Sequence, residues 1–387
     1  MSSGAIRVSG KPLSASSTLT DYPSSLLIVT LLLMALGLMM MSSAAVEITS
    51  DPLMYMKRQA VFAVMGIVVI AVTLSVPLKI WHQSSWFLLM GSFALLLLVL
   101  VPGIGKVVNG SARWIDLGVI NLQPSELAKI FIVIYLAAFL ERRQQEVRDQ
   151  WSGFIKPLGV IAAAVVLLHF EPDHGAMVIL VVTAFSMIFL AGARLHRFLV
   201  VMVLCIAAVI TAAIKYPYVL SRFSSFMNPW AAEYVYGSGY QLTQALIAFG
   251  RGEWFGVGMG NSIQKLYFLP EAHTDFVLAI IAEELGLVGV ILVLGLFSWL
   301  VACGLRIGQK AQQAGLLFEA YFAYGIALLF ASQALINVGV NTGLLPTKGL
   351  TLPFLSYGGA SLLVSCFMVA LLLRIQYETE LTAGRGR

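Results

Sequence analysis

Long apolar runs recur along the whole chain, and each is about as long as a helix that crosses a membrane. Such a helix needs roughly 20 apolar residues to span about 30 Å of hydrocarbon. The composition agrees, since 59% of the 387 residues are hydrophobic and only 11% are charged. The mean hydropathy of +0.89 lies far above the range of soluble domains. The sequence therefore predicts an integral membrane protein.

Runs bounded by charged residues, proline or glycine give about ten candidate spans. They lie at roughly 25–46, 59–78, 85–101, 125–140, 154–170, 175–192, 198–215, 275–303, 318–340 and 358–375. The predicted fold class is therefore all-α, a polytopic membrane protein with about ten transmembrane helices. Residues 25–375 form the predicted transmembrane domain, with cytoplasmic tails at 1–24 and 376–387.

Lysine and arginine are unequally divided between the two sets of loops. Of the 24, fourteen fall on one side and nine on the other, while Lys129 lies within a span. Because cytoplasmic loops carry the excess of these residues, both termini are predicted to be cytoplasmic. The periplasmic loops hold most of the glycine motifs, and 216–274, between spans seven and eight, is the largest. We therefore expect the chemistry on the periplasmic face.

The net charge and the cysteines exclude other classes of protein. A charge of +5 without a lysine-rich tract offers no footprint for nucleic acid. The three cysteines lie in apolar runs, with no C-x-x-C pair and no cysteine–histidine cluster. These patterns predict neither a disulfide set nor a fixed metal site.

Ionisable residues within spans are costly and usually mark sites or internal pairs. Glu126 and Lys129 lie three residues apart on one helix face, which predicts an internal ion pair. Glu283 and Glu284 point about 100° apart on a helix, and we expect a structural role for them. Asp275 lies about 12 Å nearer the outer mouth than Glu283, where it can meet a ligand. The alternative for Asp275 is an N-cap of the eighth span.

Five motifs follow one another in order along the chain. They are "NGSARWIDLG…LQPSELAK", the "EPD" turn at Glu171, "YQLTQALIAFGRGEWFGVGMGNS", "HTDFVLAIIAEELG" and "TKGLTLPFLSYGGAS". Together they resemble the SEDS family of bacterial cell-envelope proteins (shape, elongation, division and sporulation) over nearly the whole chain. The long polar N-terminal segment and the "KGLTLPFLSYGG" motif are more similar to the division branch of that family. His174 and Ala360 depart from its usual pattern.

The resemblance implies a peptidoglycan glycosyltransferase with ten spans, acting in septal wall synthesis at the bacterial inner membrane. Its substrate would be lipid II, a polyprenyl-pyrophosphate-linked precursor, polymerised into glycan strands at the periplasmic face. Such a transfer needs a base for the acceptor hydroxyl and cationic help for the departing pyrophosphate. Asp275 matches the essential aspartate of the family in position and flanking sequence. The resemblance thus makes Asp275 the expected general base.

Further candidate residues lie in the same motifs and the loops around them. For the pyrophosphate, the candidate cations are Arg113, Lys348, Arg251 and Lys265. Each of the four is also open to a structural or interfacial role. Glu171 and Asp173 either orient the sugar or tie their own turn. Gln241 and Ser356 are further candidates for substrate binding. A divalent cation, Mg²⁺ or Mn²⁺, travelling with the pyrophosphate is left open, without a fixed protein site.

The resemblance also implies partners among the division proteins. The foremost is a class B penicillin-binding protein, a transpeptidase that cross-links the strands. Small residues favour close helix approach, so its membrane helix is expected on the eighth span (Gly286, Gly289, Gly295) or the ninth (Ala323, Gly325, Ala327). Two other functions stay open: a lipid II flippase that uses the intramembrane charges, and a non-catalytic scaffold of the division machinery.

Overall fold

The computed structural model describes residues 22–44, 53–108, 111–116, 118, 121–215 and 224–385. Helices account for most of this part of the chain. Their bounds are α1 Tyr22–Ala44, α2 Met54–Ser75, α3 Leu78–Gln83, α4 Ser85–Val99, α5 Pro124–Arg142, α6 Gln144–Asp149, α7 Trp151–Phe170, α8 His174–Leu190, α9 Leu195–Lys215, α10 Tyr240–Gly252, α11 Val277–Gln313, α12 Leu317–Asn341 and α13 Gly359–Arg385.

Every predicted span coincides with a helix. Eight of the ten agree with their helix to within five residues at each end, while α11 and α13 continue ten residues beyond the predicted ends at 303 and 375. By length and composition, six of the described helices are able to cross a membrane: α1, α2, α7, α11, α12 and α13. The remaining four predicted spans correspond to α4, α5, α8 and α9. The helical membrane-protein class is therefore supported, while the count of ten spans and their orientation stay predictions.

The last helix is longer than the predicted span. α13 continues to Arg385, so most of the predicted tail after residue 375 is helical. Side-chain pairs one turn apart explain the extension: Arg374 bonds Glu378, and Gln376 bonds Glu380. Pairs at this spacing stabilise a helix beyond its apolar part. Of the predicted tail at 1–24, residues 1–21 lie outside the described part of the chain.

The loop predicted at 102–124 contains a small antiparallel sheet, which corrects the all-α expectation. Its strands are β1 Gly105–Val108, β2 Ser111–Asp116 and β3 Asn121–Leu122, in the order β1-β2-β3. Gly105 pairs with Ile115, and Asp116 pairs with Asn121. Short extended runs such as "KVV" favour strands, but they are too brief to be recognised beside the long apolar runs.

Helix α5 lies inside the bundle, in contact with α4, α8, α12 and α13. Its residues are buried without a break from Ile132 to Leu140, so the helix is enclosed on all sides there. Near its beginning, the Lys129 ammonium donates to the Glu126 carboxylate at 2.8 Å, and both side chains are buried. The two charges therefore neutralise each other within the protein.

Helix α11 is broken at Gly286, which adopts φ 68° and ψ −166°. The amides of Val257 and Gly258 donate to the carbonyls of Glu283 and Glu284 at 2.9 and 3.1 Å. Beyond the break, the amide of Leu287 donates to the carbonyl of Glu253 at 2.9 Å. The preceding loop thus supplies partners for the backbone groups that the break frees, as a membrane setting demands. The sequence predicted one continuous span here.

Candidate functional site

A tight turn before α11 presents Asp275. Glu271 adopts a left-handed φ of 57°, and its carbonyl accepts the amides of Thr274, Asp275 and Phe276 at 3.1–3.2 Å. Phe276 is buried and forms the N-cap position of α11, where no side chain caps the helix. The Asp275 carboxylate is therefore not used as a helix cap, so the structure does not support that alternative.

The carboxyl group of Asp275 lies in a partly enclosed position beside Gly349. A Cβ atom added to Gly349 would lie 2.9 Å from Asp275 Oδ2, so only glycine leaves the carboxylate in place. Burial raises the pKa of Asp275 to about 7, and the nearby carboxylate of Glu271 adds to the rise. Arg113 opposes the rise by favouring the ionised form. A carboxyl with this pKa is suited to take a proton near neutral pH.

Two asparagines of α12 hold the backbone of this turn. Asn337 Nδ2 and Asn341 Nδ2 donate to the carbonyl oxygen of Asp275 at 3.0 and 3.1 Å. Both side chains are almost fully buried. This pair is not among the residues predicted from the sequence, although two asparagines four residues apart within an apolar run are a visible signal.

The "EPD" turn lies between α7 and α8, and hydrogen bonds connect it to α8, to the beginning of α5 and to strand β2. Asp173 caps α8 through the amide of Ala176, and its other oxygen accepts from Ser125 Oγ at 2.7 Å and Gln123 Nε2 at 3.1 Å. The carboxylate of Asp173 is thus committed to holding α5 and α8 together. This geometry favours the turn-tying alternative for Asp173.

Glu171 differs from Asp173, since it is 1% exposed and both of its carboxyl oxygens lack a hydrogen-bond partner among the described residues. Burial raises the pKa of Glu171 to about 8, with a further contribution from Asp173, while Arg113 opposes it. The side chain is therefore mostly a neutral acid at pH 7.

Arg113 joins the sheet to the "EPD" turn. From strand β2, its Nε donates to the carbonyl of Glu171 at 3.2 Å and its Nη2 to the carbonyl of Pro172 at 2.6 Å. Neither bond goes to a carboxylate, so the guanidinium keeps its positive charge available to the surroundings of Asp275. The sheet that the sequence analysis missed is what places this arginine.

The loop after α12 completes the site. Gly175, just inside α8, packs against Leu350 and the carbonyl of Gly349. Lys348 interacts electrostatically with His174, the first residue of α8. The structure therefore brings the "EPD", "HTD" and "TKGL" motifs together at one end of the bundle.

Arg251 and Lys265 have partners of a different kind. Arg251 Nη1 lies 2.7 Å from Glu283 Oε1, and the Arg251 side chain is 36% exposed. Lys265 Nζ lies 3.1 Å from Glu284 Oε1 and 2.6 Å from the carbonyl of Gly260, and it is buried. Both charges are thus paired with the two glutamates of α11. For Lys265 this enclosure speaks against the predicted contact with the pyrophosphate.

The two remaining candidates for substrate binding are Ser356 and Gln241. Ser356 is buried in its own turn, where its hydroxyl accepts from the amide of Leu352 at 2.8 Å. Gln241 lies half-buried in the first turn of α10. Among the described residues, no group of three or more histidine, cysteine, aspartate or glutamate side chains is placed to hold a metal ion.

Three aromatic rings border the Asp275 turn. The His273 ring lies 4.9 Å from that of Tyr55 and 5.9 Å from that of Tyr357. The amide of Tyr357 also donates to the carbonyl of His273 at 2.8 Å. These contacts fix the turn against α2 and the loop before α13.

The apolar helices make this a helical integral membrane protein, and a carboxyl group of raised pKa, that of Asp275, lies at one end of its bundle. The family model FTSW_RODA_SPOVE, described as cell cycle protein, matches residues 23–381. The chain therefore belongs to the FtsW/RodA/SpoVE family, the same family that the motifs indicate.

Relatives of the chain carry consistent names. It is 53% identical to the probable peptidoglycan glycosyltransferase FtsW of Hahella chejuensis, over 90% of this chain and 88% of that protein. The corresponding protein of Pseudomonas fluorescens is 50% identical over 94% of this chain and 89% of its own length.

Solved structures give the same fold. A chain from a study of polymerization and crosslinking by a peptidoglycan synthase complex matches with a TM-score of 0.79 at 27% identity, covering 93% of this chain and 99% of that one. The rod shape determining protein RodA of Thermus thermophilus matches with a TM-score of 0.67 at 27% identity, over 94% of this chain and 98% of its own.

Proposed function

We propose that the protein is a peptidoglycan glycosyltransferase that polymerises lipid II, with Asp275 as the general base. One observation carries the assignment: the Asp275 carboxyl lies beside Gly349, where the "EPD", "HTD" and "TKGL" motifs meet, and the charge of Arg113 acts on it. The names of the relatives, at about half identity over most of the chain, supply the reaction class. Septal wall synthesis at the bacterial inner membrane is part of this proposal, and the match to a family of cell cycle proteins supports it.

The reaction needs one proton transfer and one displacement. Asp275 takes the proton of the acceptor sugar's 4-hydroxyl as that oxygen attacks the anomeric carbon of the donor. The bond from that carbon to the pyrophosphate breaks, the anomeric configuration inverts, and the polyprenyl pyrophosphate leaves with the electron pair. The proton then passes from the Asp275 carboxylic acid to solvent, which restores the base.

The departing pyrophosphate needs cations close to that carboxylate. Arg113 is our first choice, because it acts electrostatically on Asp275 and donates its hydrogen bonds to the backbone carbonyls of Glu171 and Pro172. Lys348 is the second choice, since it lies in the loop that contains Gly349. Arg251 and Lys265 rank lower because each is paired with a buried glutamate. A divalent cation, if used, would arrive bound to the substrate.

The decisive experiment uses the protein purified with its transpeptidase partner, supplied with fluorescent lipid II. We expect glycan strands from the parent and none from Asp275→Asn, which keeps the size of the side chain but removes the base. Equal folded yield and partner binding of the variant form the control. Polymerisation by Asp275→Asn near the parent rate would remove the general-base assignment and favour a scaffold or flippase.

The flippase alternative needs a polar path, for which the intramembrane charges were the candidates. Glu126 is paired with Lys129, and Glu283 and Glu284 are paired with cations of the 251–265 segment. Buried pairs of this kind favour a structural role over a path for substrate. We therefore keep polymerisation as the function.

The predicted topology completes the proposal, with about ten spans, both termini in the cytoplasm and Asp275 at the periplasmic face. Single cysteines at Arg148 and Lys310 should be labelled only from the cytoplasm. Those at Ser238 and Thr347 should be labelled only from the periplasm. Labelling of Ser238 from the cytoplasm alone would overturn this orientation.

The partner's membrane helix is expected to pack on α11. The predicted positions on α12 are enclosed within the chain, since Ala323 and Ala327 are fully buried and Gly325 packs against Val133 and Met187. Gly286 and Gly289 of α11 are buried as well, which leaves Gly295 among the predicted positions. On α11, Gly295 faces open space, next to the exposed side chains of Ile291 and Leu292. Disulfide scanning should link these α11 positions to the partner helix, and links found only elsewhere would refute the placement.

A further inference from the structure

Asn337 and Asn341 lie one helical turn apart near the end of α12 and reach the same atom. Their two Nδ2 groups donate to the carbonyl oxygen of Asp275 at 3.0 and 3.1 Å. Asn341 Nδ2 is also 2.9 Å from the carbonyl of Asn337. The exposed fractions of these side chains are 1% for Asn337 and 0% for Asn341, so water cannot replace them as donors.

The same amides hold the structure on both sides of Asp275. After it, Asn341 Oδ1 accepts the amide of Ala279 at 3.2 Å, in the first turn of α11, and this amide also donates to the carbonyl of Phe276 at 3.0 Å. Across from it, Asn337 Nδ2 donates to the carbonyl of Leu350 at 2.5 Å. Leu350 follows Gly349, where a Cβ atom would lie 2.9 Å from Asp275 Oδ2. Two side chains therefore fix the turn, the helix beginning and the loop that encloses the carboxylate.

We propose that Asn337 and Asn341 are positioning residues for Asp275, which hold its main chain so that the carboxylate points at the acceptor hydroxyl beside Gly349. This inference rests on the proposed role of Asp275 as the base. Nothing in the reaction requires either asparagine to touch the substrate. Their effect passes through the carbonyl of Asp275 and the loop at Leu350.

Loss of these bonds has a consequence for rate rather than for binding. A base misplaced by about 1 Å lowers a rate by as much as about a hundredfold, whereas sugar and pyrophosphate contacts elsewhere are unchanged. A carboxylate freed from its enclosed position also becomes better solvated, which lowers its pKa. The pH at which the rate is half-maximal should therefore move down.

The test compares Asn337→Leu and Asn341→Leu with the parent, in the complex with the transpeptidase partner. Leucine keeps the approximate size of asparagine and removes both donors. Asn341→Asp is a second variant, which in its ionised form keeps an acceptor for Ala279 but has no donor. The matched control is Gln333→Leu, which removes a 3.0 Å bond from the same helix to the neighbouring carbonyl of Thr351.

We expect the asparagine variants to lose about tenfold to a hundredfold in kcat per folded molecule, with KM for lipid II within about twofold. The pH profiles of the two leucine variants should be displaced to lower pH, whereas the negative charge that Asn341→Asp adds beside Asp275 opposes this displacement. Gln333→Leu should lower the thermal midpoint without displacing its pH profile. Should kcat fall only in proportion to the folded fraction, with the pH profile unmoved, the two asparagines are merely structural and the inference is wrong.

Failure of the inference is distinct from failure of the proposed function. If Asp275→Asn is inactive while the asparagine variants keep the parent's kcat and pH profile, only the positioning role is lost. If Asp275→Asn is active, the base assignment fails, whatever the asparagine variants do.

Discussion

The rate of polymerisation should depend on pH through the ionisation of Asp275. With a pKa of about 7, this carboxyl is about 10% ionised at pH 6 and about 90% at pH 8. Only the ionised form accepts a proton, so the rate at saturating lipid II should rise about ninefold to tenfold between these pH values. An ordinary, exposed aspartate would give a flat profile over the same range, because its pKa is near 4.

Glu271→Gln should displace this profile in a known direction. The negative charge of Glu271 raises the pKa of Asp275, so its removal favours the ionised base and moves the profile to lower pH. A partly screened neighbour of this kind displaces a titration by a fraction of a pH unit. We therefore expect the rate to rise about two- to threefold at pH 6 and to stay almost unchanged at pH 8.

The assay measures initial rates with fluorescent lipid II at constant ionic strength, from pH 5.5 to 8.5, on protein whose folded fraction is checked at every pH. Asp149→Asn is the matched control, because this substitution removes the same charge from an exposed residue at the other end of the bundle, beyond α5. A profile that is flat from pH 6 to 8, or one that Glu271→Gln does not displace, would refute the reasoning.

Three further substitutions test other parts of the structure. Gly349→Ala should fold normally but lose most polymerisation, because its Cβ would displace a carboxylate 2.9 Å away; parent-like rates would contradict the placement of Asp275. Glu283→Ala should destabilise the protein by about 1–3 kcal/mol, since it leaves the buried Ser262 hydroxyl and the buried amide of Gln264 without their acceptor, along with the partly exposed Arg251; thermal unfolding followed by size-exclusion chromatography checks this. Glu171→Gln should abolish a pH-dependent loss of stability. The pKa of Glu171 is raised from 4.5 to about 8 in the native state, so the native state holds a proton that the unfolded state releases. The stability of the parent therefore falls as the pH rises from 5.5 to 8, and that of the variant should not. An equal pH dependence of the thermal midpoint in both proteins would contradict that.

The helices were predictable because their signal is local. A membrane span shows itself as about 20 apolar residues in a row, and one side-chain spacing was enough to predict the pair of Glu126 and Lys129. Strand β2 gave no such signal, because six residues of mixed polarity between two long apolar runs have no distinctive period. The position of Arg113 depends on that strand and was therefore not predictable.

The break in α11 was hidden for a related reason. Gly286 lies within an apolar run that reads as one span, and glycine is common in membrane helices. The break depends on residues 253–258, whose backbone groups form the hydrogen bonds that α11 loses at Gly286. Contacts between segments about 30 residues apart leave no periodic trace in either segment, so only the folded chain shows them.

The same limit explains the ranking of the cations. Arg113, Arg251, Lys265 and Lys348 looked equivalent in the sequence, because each lies in a glycine-containing motif. In the folded chain they differ in their partners. Arg251 and Lys265 are paired with the buried glutamates of α11, whereas Arg113 donates to backbone carbonyls. A cation neutralised by a buried carboxylate has little charge left for a pyrophosphate, whereas one held by carbonyls keeps it. The carboxyl groups at the start of α11 are divided by the same rule, since Glu283 and Glu284 are paired and Asp275 is left to act as a base.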